Sequence, residues 1–447
     1  MTYMLEIEEL RKVAHAAIGP VLDELVACVV QGDASLLDER LNGSLAQLGD
    51  RLAQAAYAQI GVGLRARQRR GETPACPQCG QHTRFKQSRS LTVRTALTGS
   101  GLKVSSPYSI CESCRLGVYE LRDALRLDSD GLTPTLRALA ISAGTLEPFE
   151  AASTQLLERF AGVTLSGSKI HQLCVDAGER LAGRMDDEAL GEITPLGSAE
   201  RLNVQIDGGM LYIGGEWREA KLAVIFPQSA VADISKDRRA LTSRHVVFTL
   251  GTRKELGQRI LRVVERYVPC DPDGAPLIRG RVHVIGDGAE WIANLVSDDL
   301  PGASYMLDWY HVAEHIGQAS RVLYPNERGR RWWVGKQKNL LKNGHVAAML
   351  QGLQHQKTRY ASETGERIAI TDLHRYLSNR AEQLWYAKAR REHLHVGSGI
   401  VESANSHVLQ QRMKRTGMHW EARGANAMAA LRCTYRTGGL KLLAQAA

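Results

Sequence analysis

Leu202-Asn203-Val204-Gln205-Ile206-Asp207 decides how this chain is read: an apolar run short enough for a strand, closed by an acid. Val282-His283-Val284-Ile285-Gly286-Asp287 repeats that arrangement downstream. A third acid, Glu402, lies in Gly397-Ser398-Gly399-Ile400-Val401-Glu402-Ser403-Ala404-Asn405, where Ser398 is placed to cap a helix with Glu402 in its first turn. One acid at a helix start usually does no more than complement the helix dipole. Two strand-end aspartates with a helical glutamate offer the hard oxygen ligands that a pair of Mg²⁺ (or Mn²⁺) ions requires.

The surrounding pattern extends this. Strands are expected at Leu202–Asp207, at Met210–Ile213 after a Gly208-Gly209 turn, and at Lys221–Phe226. A helix over residues 254–267 follows, then the strand ending at Asp287, a helix from Ala289, and a strand at residues 303–307 before Asp308-Trp309-Tyr310-His311. The order β-β-β-α-β-α-β-α, with acids on the first strand, the fourth strand and the last helix, is that of a ribonuclease-H-like core. Residues 196–310 and 395–447 would form it. Between them, residues 311–394 lose strand signals and carry apolar residues at helical spacing (Val312, Ile316, Trp333, Leu341, Leu353, Leu373, Leu377), an all-helical insertion that displaces Glu402 downstream.

The N-terminal half reads as three further segments, so the expected class is multidomain α+β. Residues 1–70 are a helical region ending in a basic linker of Arg65, Arg67, Arg69 and Arg70, and residues 1–60 are candidates for a dimer contact. Residues 71–125 hold Cys76-x2-Cys79 and Cys111-x2-Cys114, two knuckles that suit one tetrahedral Zn²⁺, with hairpin strands at 90–95 and 101–104 between them. Cys28, Cys174, Cys270 and Cys433 are isolated and read as core thiols. Residues 126–195 open with Leu132-Thr133-Pro134, a helix start, and continue as helix, glycine turn and helix. That suits a helix-turn-helix with Ser168, Lys169, His171 and Gln172 near a groove-facing start, followed by an acidic linker from residue 184.

Composition narrows the function classes. With 447 residues the chain exceeds one compact core, and its 44 % hydrophobic and 23 % charged content is that of a water-soluble protein. No apolar run approaches a membrane span, the first residues lack a secretory pattern, and eight scattered cysteines fit a reducing cytoplasm. The net charge of +9 is concentrated. Arg328, Arg330, Arg331, Lys336, Lys338 and Lys342 face only Glu327 over residues 327–342; Arg412, Lys414 and Arg415 lie just beyond Glu402. Basic runs flanking a carboxylate cage suit a nucleic-acid backbone, and Trp309, Trp332, Trp333 and Trp420 are candidates to stack on unpaired bases.

The chain resembles bacterial insertion-sequence transposases of the DDE type, specifically the ISKra group, distantly similar to Mutator-like elements. The resemblance is carried by Val204–Gly208, Ile285–Ile292, Asp308-x2-His311, the block at residues 397–405, and Arg412–Trp420 with Gly424-Ala425 and Leu431-Arg432; it covers roughly residues 70–440. It departs at Leu121-Arg122-Asp123-Ala124, where the family pattern has proline-leucine-aspartate. The resemblance implies a DNA transposase with Asp207, Asp287 and Glu402 holding two Mg²⁺, and His311 supporting the scissile phosphate. It further implies a structural zinc on Cys76, Cys79, Cys111 and Cys114, double-stranded DNA (element ends and target) as partner, a homodimer or higher oligomer, and a place on bacterial nucleoid DNA. Two alternatives stay open: a ribonuclease-H-like nuclease or resolvase without strand transfer, and a domesticated zinc-ribbon DNA-binding regulator.

Overall fold

The computed structural model describes residues 34–445, except 97–100, 198, 236 and 237, together with scattered positions between 11 and 30. Cys28 and part of the expected dimer contact lie outside the described residues. The fold is mixed α+β, and the chain divides into two units, Met1–Cys174 with Ala444–Ala447, and Val175–Leu443.

In the first unit, helix α1 (Ala34–Arg69) runs through the stretch expected to be a basic linker, so Arg65, Arg67 and Arg69 are helical. Arg67 and Arg70 both pair with Glu72 just past its end. Strands β1 (Arg84–Val93), β2 (Leu102–Ile110) and β3 (Gly117–Tyr119) form an antiparallel sheet, longer than the sequence pattern suggested. Leu64, Leu91, Val93, Leu102, Val104 and Leu121 make its core. Leu121 opens the departure from the family pattern; the segment forms a one-turn helix, α2 (Glu120–Ala124), with Leu121 fully buried. Helix α3 (Pro134–Leu146) starts as expected: Thr133 accepts from Leu136 N and Pro134 occupies the first turn, where a missing N–H costs nothing. A helical segment, α4 (residues 149–161), contains a π-helical stretch at Ala152–Glu158. Helix α5 (Gly167–Asp187) follows, with residues from Val175 on counted in the second unit, and runs on to Asp187, into the stretch expected to be a linker.

The second unit is built on a five-stranded sheet. Strand β4 (Leu202–Ile213) is continuous through Gly208-Gly209, correcting the expected turn. Gly208 pairs with Lys221 and Gly209 with Ala220 of β5 (Glu216–Pro227); the reversal comes at Gly214-Gly215, both at positive φ. The paired glycines answer to packing instead. A Cβ on Gly208 would lie 2.5 Å from Glu219 Oε1, and one on Gly209 2.7 Å from Asn405 Oδ1. The third core strand is β8 (His245–Thr249), which the sequence reading missed, preceded by a small hairpin of β6 (Val231–Ser235) and β7 (Arg238–Leu241). Strands β9 (Val282–Gly286) and β10 (Ser304–Leu307) complete the order β10-β9-β4-β5-β8. Strands β4, β9 and β10 run parallel, while β5 is antiparallel to both its neighbours.

Helices α6 (Arg253–Tyr267) and α7 (Glu290–Asp299) cover one face, their Leu256, Ile260, Val264, Ile292 and Leu295 sharing a core with Val204, Ile206 and Val284. The expected all-helical stretch comprises α8 (Trp309–Leu323), α9 (Glu327–Lys342), α10 (Val346–Lys357), α11 (Gly365–Ser378) and α12 (Tyr386–Arg391). It has its own core around Ile316, Trp333, Leu341, Leu353, Ile370 and Leu377. Helix α13 (residues 399–413, π-helical at Ser406–Gln410) and α14 (Ala422–Ala444) close the unit.

Candidate functional site

The last paired residues of β4 and β9 are Gln205 and Ile285, so Asp207, midway along β4, and Asp287, just past the end of β9, lie beyond the same end of the parallel pairing. Asp207 Oδ1 accepts from Gly208 N at 2.8 Å, and Oδ2 accepts from Asn405 Nδ2 at 2.9 Å. Burial pushes the Asp207 carboxyl above its ordinary range; the Asn405 and Gly208 bonds work against this, Asp287 adds to it, and His311 opposes it. Asp287 Oδ1 accepts from Ala289 N at 2.8 Å, which turns the chain toward α7.

Helix α13 is anchored on β4 by a buried glutamine. Gln205 Oε1 accepts from Val401 N at 3.1 Å and its Nε2 donates to Gly397 O at 3.0 Å, gripping both sides of the helix start. Ser398 does not cap this helix with its side chain, contrary to expectation. Its hydroxyl donates to Glu402 Oε1 at 2.5 Å, holding the carboxylate one turn on, while its N–H donates to Asp308 Oδ1 at 2.7 Å. Asn405, a further turn along, reaches Asp207 and Gly208 O, so one short helix touches the Asp207 strand through Asn405 and carries Glu402. The π-helical stretch follows directly, and Arg432 of α14 donates from Nε (3.1 Å) and Nη2 to His407 O, a carbonyl within that stretch.

Asp308, His311 and Glu402 bring ligand atoms within 4.8 Å of one another. Asp308 is fully buried, and both its oxygens serve backbone N–H groups: Oδ1 takes Ser398 N, and Oδ2 takes His311 N at 2.8 Å as the N-cap of α8. With Trp309 N bonded to Val396 O, it closes the neck where the helical insertion leaves and returns. Its geometry is that of a clasp. His311 is half-buried and Glu402 exposed, and His311 lies near enough to Asp207 for its charge to act on that carboxyl.

The basic candidates divide. Arg412 is 1 % exposed, packed 5.5 Å over the Trp420 ring, and is a core residue rather than a surface cation. Lys414 lies 5.3 Å over Trp217, and Arg415 is exposed with Nε on Gln411 O. On α9, Arg328, Arg331 and Lys336 are exposed and Arg330 is half-buried; Arg331 pairs with Glu327, and Lys336 Nζ lies 5.6 Å over the exposed ring of Trp332. Trp333 is buried, Trp309 half-buried and Trp420 nearly buried. In the first unit, Lys169 is ion-paired with Asp128 and Asp130, and the His171 ring lies 4.9 Å from Phe149, so both serve contacts within that unit. Cys174 and Cys433 are buried as expected; Cys270 is exposed, a correction, because it follows α6 in a surface turn.

The thiols of Cys76, Cys79, Cys111 and Cys114 converge within 4.8 Å, with Cys79 Sγ and Cys111 Sγ 3.6 Å apart. A tetrahedron with metal–sulfur bonds of about 2.3 Å has edges of about 3.8 Å. Backbone N–H groups of Cys79 and Gln78 aimed at Cys76 hold its thiol down to about 7, while the neighbouring Cys79 sulfur and burial push Cys114 up to about 12. The four sulfurs thus share negative charge unevenly, and a cation among them would even it out.

Gln205, Ser398 and Asn405 escaped the sequence reading as site residues. The available signal was a glutamine at the centre of an apolar strand, where an amide is expensive unless both its ends are bonded.

These pieces define a class of site in the second unit: Asp308, His311 and Glu402 gather their ligand atoms, and Asp207 and Asp287 lie on adjacent parallel strands of the mixed sheet; the first unit holds a four-thiol cluster of its own. The chain matches the model of the uncharacterised protein family UPF0236 over residues 84–445, and it belongs to that family. No curated protein matches it.

Proposed function

We propose that this protein is an insertion-sequence DNA transposase that cuts and joins DNA strands by two-metal phosphoryl transfer at Asp207, Asp287 and Glu402. The observation that carries the reading is the anchoring of the Glu402 helix on the Asp207 strand, through Gln205 and Asn405, where the parallel pairing of β4 and β9 stops just short of Asp207 and Asp287. Numbered along the core, the sheet runs 5-4-1-2-3 with strand 2 antiparallel, the arrangement of ribonuclease-H-like enzymes. The donor set fits a divalent cation: oxygen ligands, one of them raised by burial with its neighbour's negative charge adding to the shift, which a bound cation would offset.

Bound there, a pair of Mg²⁺ ions supplies an activated water or 3′-hydroxyl and neutralises the leaving oxygen of an in-line displacement. The residues orient the groups. Ser398 fixes one oxygen of Glu402 and leaves the other free, Asn405 sets the rotation of Asp207, and His311 is placed to donate toward a phosphate oxygen. The exposed α9 cations and Trp332 form the surface for the flanking strand, and the four cysteines hold a structural Zn²⁺. Synapsis of two ends calls for at least a dimer, working on nucleoid DNA.

The test is Mg²⁺-dependent joining of an element-end duplex to a plasmid. Glu402→Gln abolishes joining while duplex binding persists; retained joining overturns the assignment. Products that are cut but never joined by the unaltered protein favour the nuclease reading.

A further inference from the structure

The helical insertion reaches back to the loop that carries Asp287. Strand β9 ends at Gly286, so the carbonyls of Asp287 and Gly288 have lost the sheet ladder and need donors from elsewhere. Helix α11 and the turn after it supply them. Tyr376 Oη donates to Asp287 O at 3.2 Å. Arg380 donates to Gly288 O from both Nε (3.0 Å) and Nη2 (2.8 Å), and from Nη1 to Tyr376 O at 3.2 Å.

The two donors are themselves held. The Arg380 guanidinium lies 4.6 Å over the Tyr376 ring, and His315 of α8 stacks on that ring with centroids 3.9 Å apart at 29°. Burial, opposed by Arg380 and reinforced by the Asp287 charge, pushes the Tyr376 phenol up to about 12, so it stays a donor at neutral pH. Gly288 completes the fit. Its φ is +90°, and a Cβ there would lie 2.5 Å from Leu307 Cδ1 and 2.7 Å from Arg380 Nε.

We propose that Tyr376 and Arg380 are positioning residues for the metal site: they hold the Asp287-Gly288 turn so that the Asp287 carboxylate stays directed at Asp207. The insertion thereby assembles the catalytic centre in addition to any contact it makes with DNA. This rests on the two-metal reading of Asp207 and Asp287. A guanidinium suits the task because its planar fork places two N–H groups on one carbonyl, which a lysine ammonium cannot reproduce.

Arg380→Lys keeps the charge and Tyr376→Phe keeps the stacked ring, so neither removes a DNA-attracting group. The full-length variants are titrated with Mn²⁺ by calorimetry, and hydrogen exchange is followed in the peptide spanning residues 282–292. The expected result is about a tenfold loss of Mn²⁺ affinity, as is usual when a residue supporting a metal ligand is removed. Exchange at residues 287–289 accelerates, with melting temperature and duplex affinity at wild-type values. Wild-type Mn²⁺ affinity and exchange in both variants overturn the proposal, as does a loss of Mn²⁺ affinity matched by a fall in melting temperature or duplex affinity. Asp287→Asn separates the two levels. If it binds Mn²⁺ as tightly as wild type, the two-metal reading fails; if it loses Mn²⁺ while the other two variants do not, only the positioning role fails.

Discussion

Asp207 shows how a carboxylate suited to a cation works against the fold without one. Burial, with Asp287 adding to it, raises its folded pKa above the unfolded value, so the folded state prefers the protonated form. The ionised group therefore destabilises the protein at neutral pH, and that penalty disappears as pH falls through the raised pKa to the unfolded one. Asp207→Asn removes the charge and keeps one acceptor, for Asn405, while giving up the bond from Gly208 N. It is expected to raise the metal-free melting temperature at pH 7.5 by about 2 °C. The gain shrinks to nothing in a scan taken below the ordinary carboxylate range, and added Mg²⁺ stabilises the wild type more than the variant. Asp207 and Asp287 were legible as acids ending apolar runs, and Glu402 as an acid in the first turn of a helix. Their supports were not, because Gln205, Ser398 and Asn405 act through bonds spanning up to about two hundred residues of sequence, which no local pattern contains.

Among the elements, α9 separates what periodicity reveals from what it leaves open. Its helix and its cationic content were both visible in the sequence, and Asn326 caps it by accepting from Gly329 N at 2.7 Å. Which tryptophan faces out was not: adjacent residues on a helix point about 100° apart, and only packing against the insertion core buries Trp333 and leaves Trp332 61 % exposed. Trp332→Ala is expected to weaken binding of an unpaired oligonucleotide about tenfold, with little change for a duplex. Arg328→Ala combined with Lys336→Ala should instead flatten the salt dependence of duplex binding by about two in the log–log slope. Fluorescence anisotropy across a salt series measures both. Strand β4 teaches the converse. Two glycines in sequence read as a turn, yet both lie within the ladder because Glu219 and Asn405 occupy the space their side chains would fill.

At the scale of the whole molecule, the second unit holds two cores, one under the sheet and one within the helical stretch that the sequence set apart. The first unit has a core of its own, around Leu64, Leu91, Val93 and Leu121, and carries the four-thiol cluster. A bound metal there is expected to contribute folding energy directly. The purified full-length chain should carry one zinc by elemental analysis, and Cys114→Ser should lose it. Chelation should open residues 71–125 to protease, with cleavage mapped by mass spectrometry. Zinc-free protein that resists protease in this segment would remove the structural role. Among the described residues no helix is long and apolar enough to cross a membrane.

What the chain alone determined was set by short-range chemistry: paired cysteines at knuckle spacing, acids closing apolar runs, helical periodicity through the insertion, and Thr133-Pro134 starting a helix. Each depends on residues within a turn or a strand of one another, so spacing carries it. The tertiary structure decided which charges are surface and which are core, sending Arg412 inward and Lys169 to Asp128 and Asp130. It also decided that Asp308 closes the insertion's neck and that Ser398 serves Glu402 rather than its own helix. Those outcomes depend on distant segments meeting, because a buried polar group takes whichever partner the fold brings within hydrogen-bond reach.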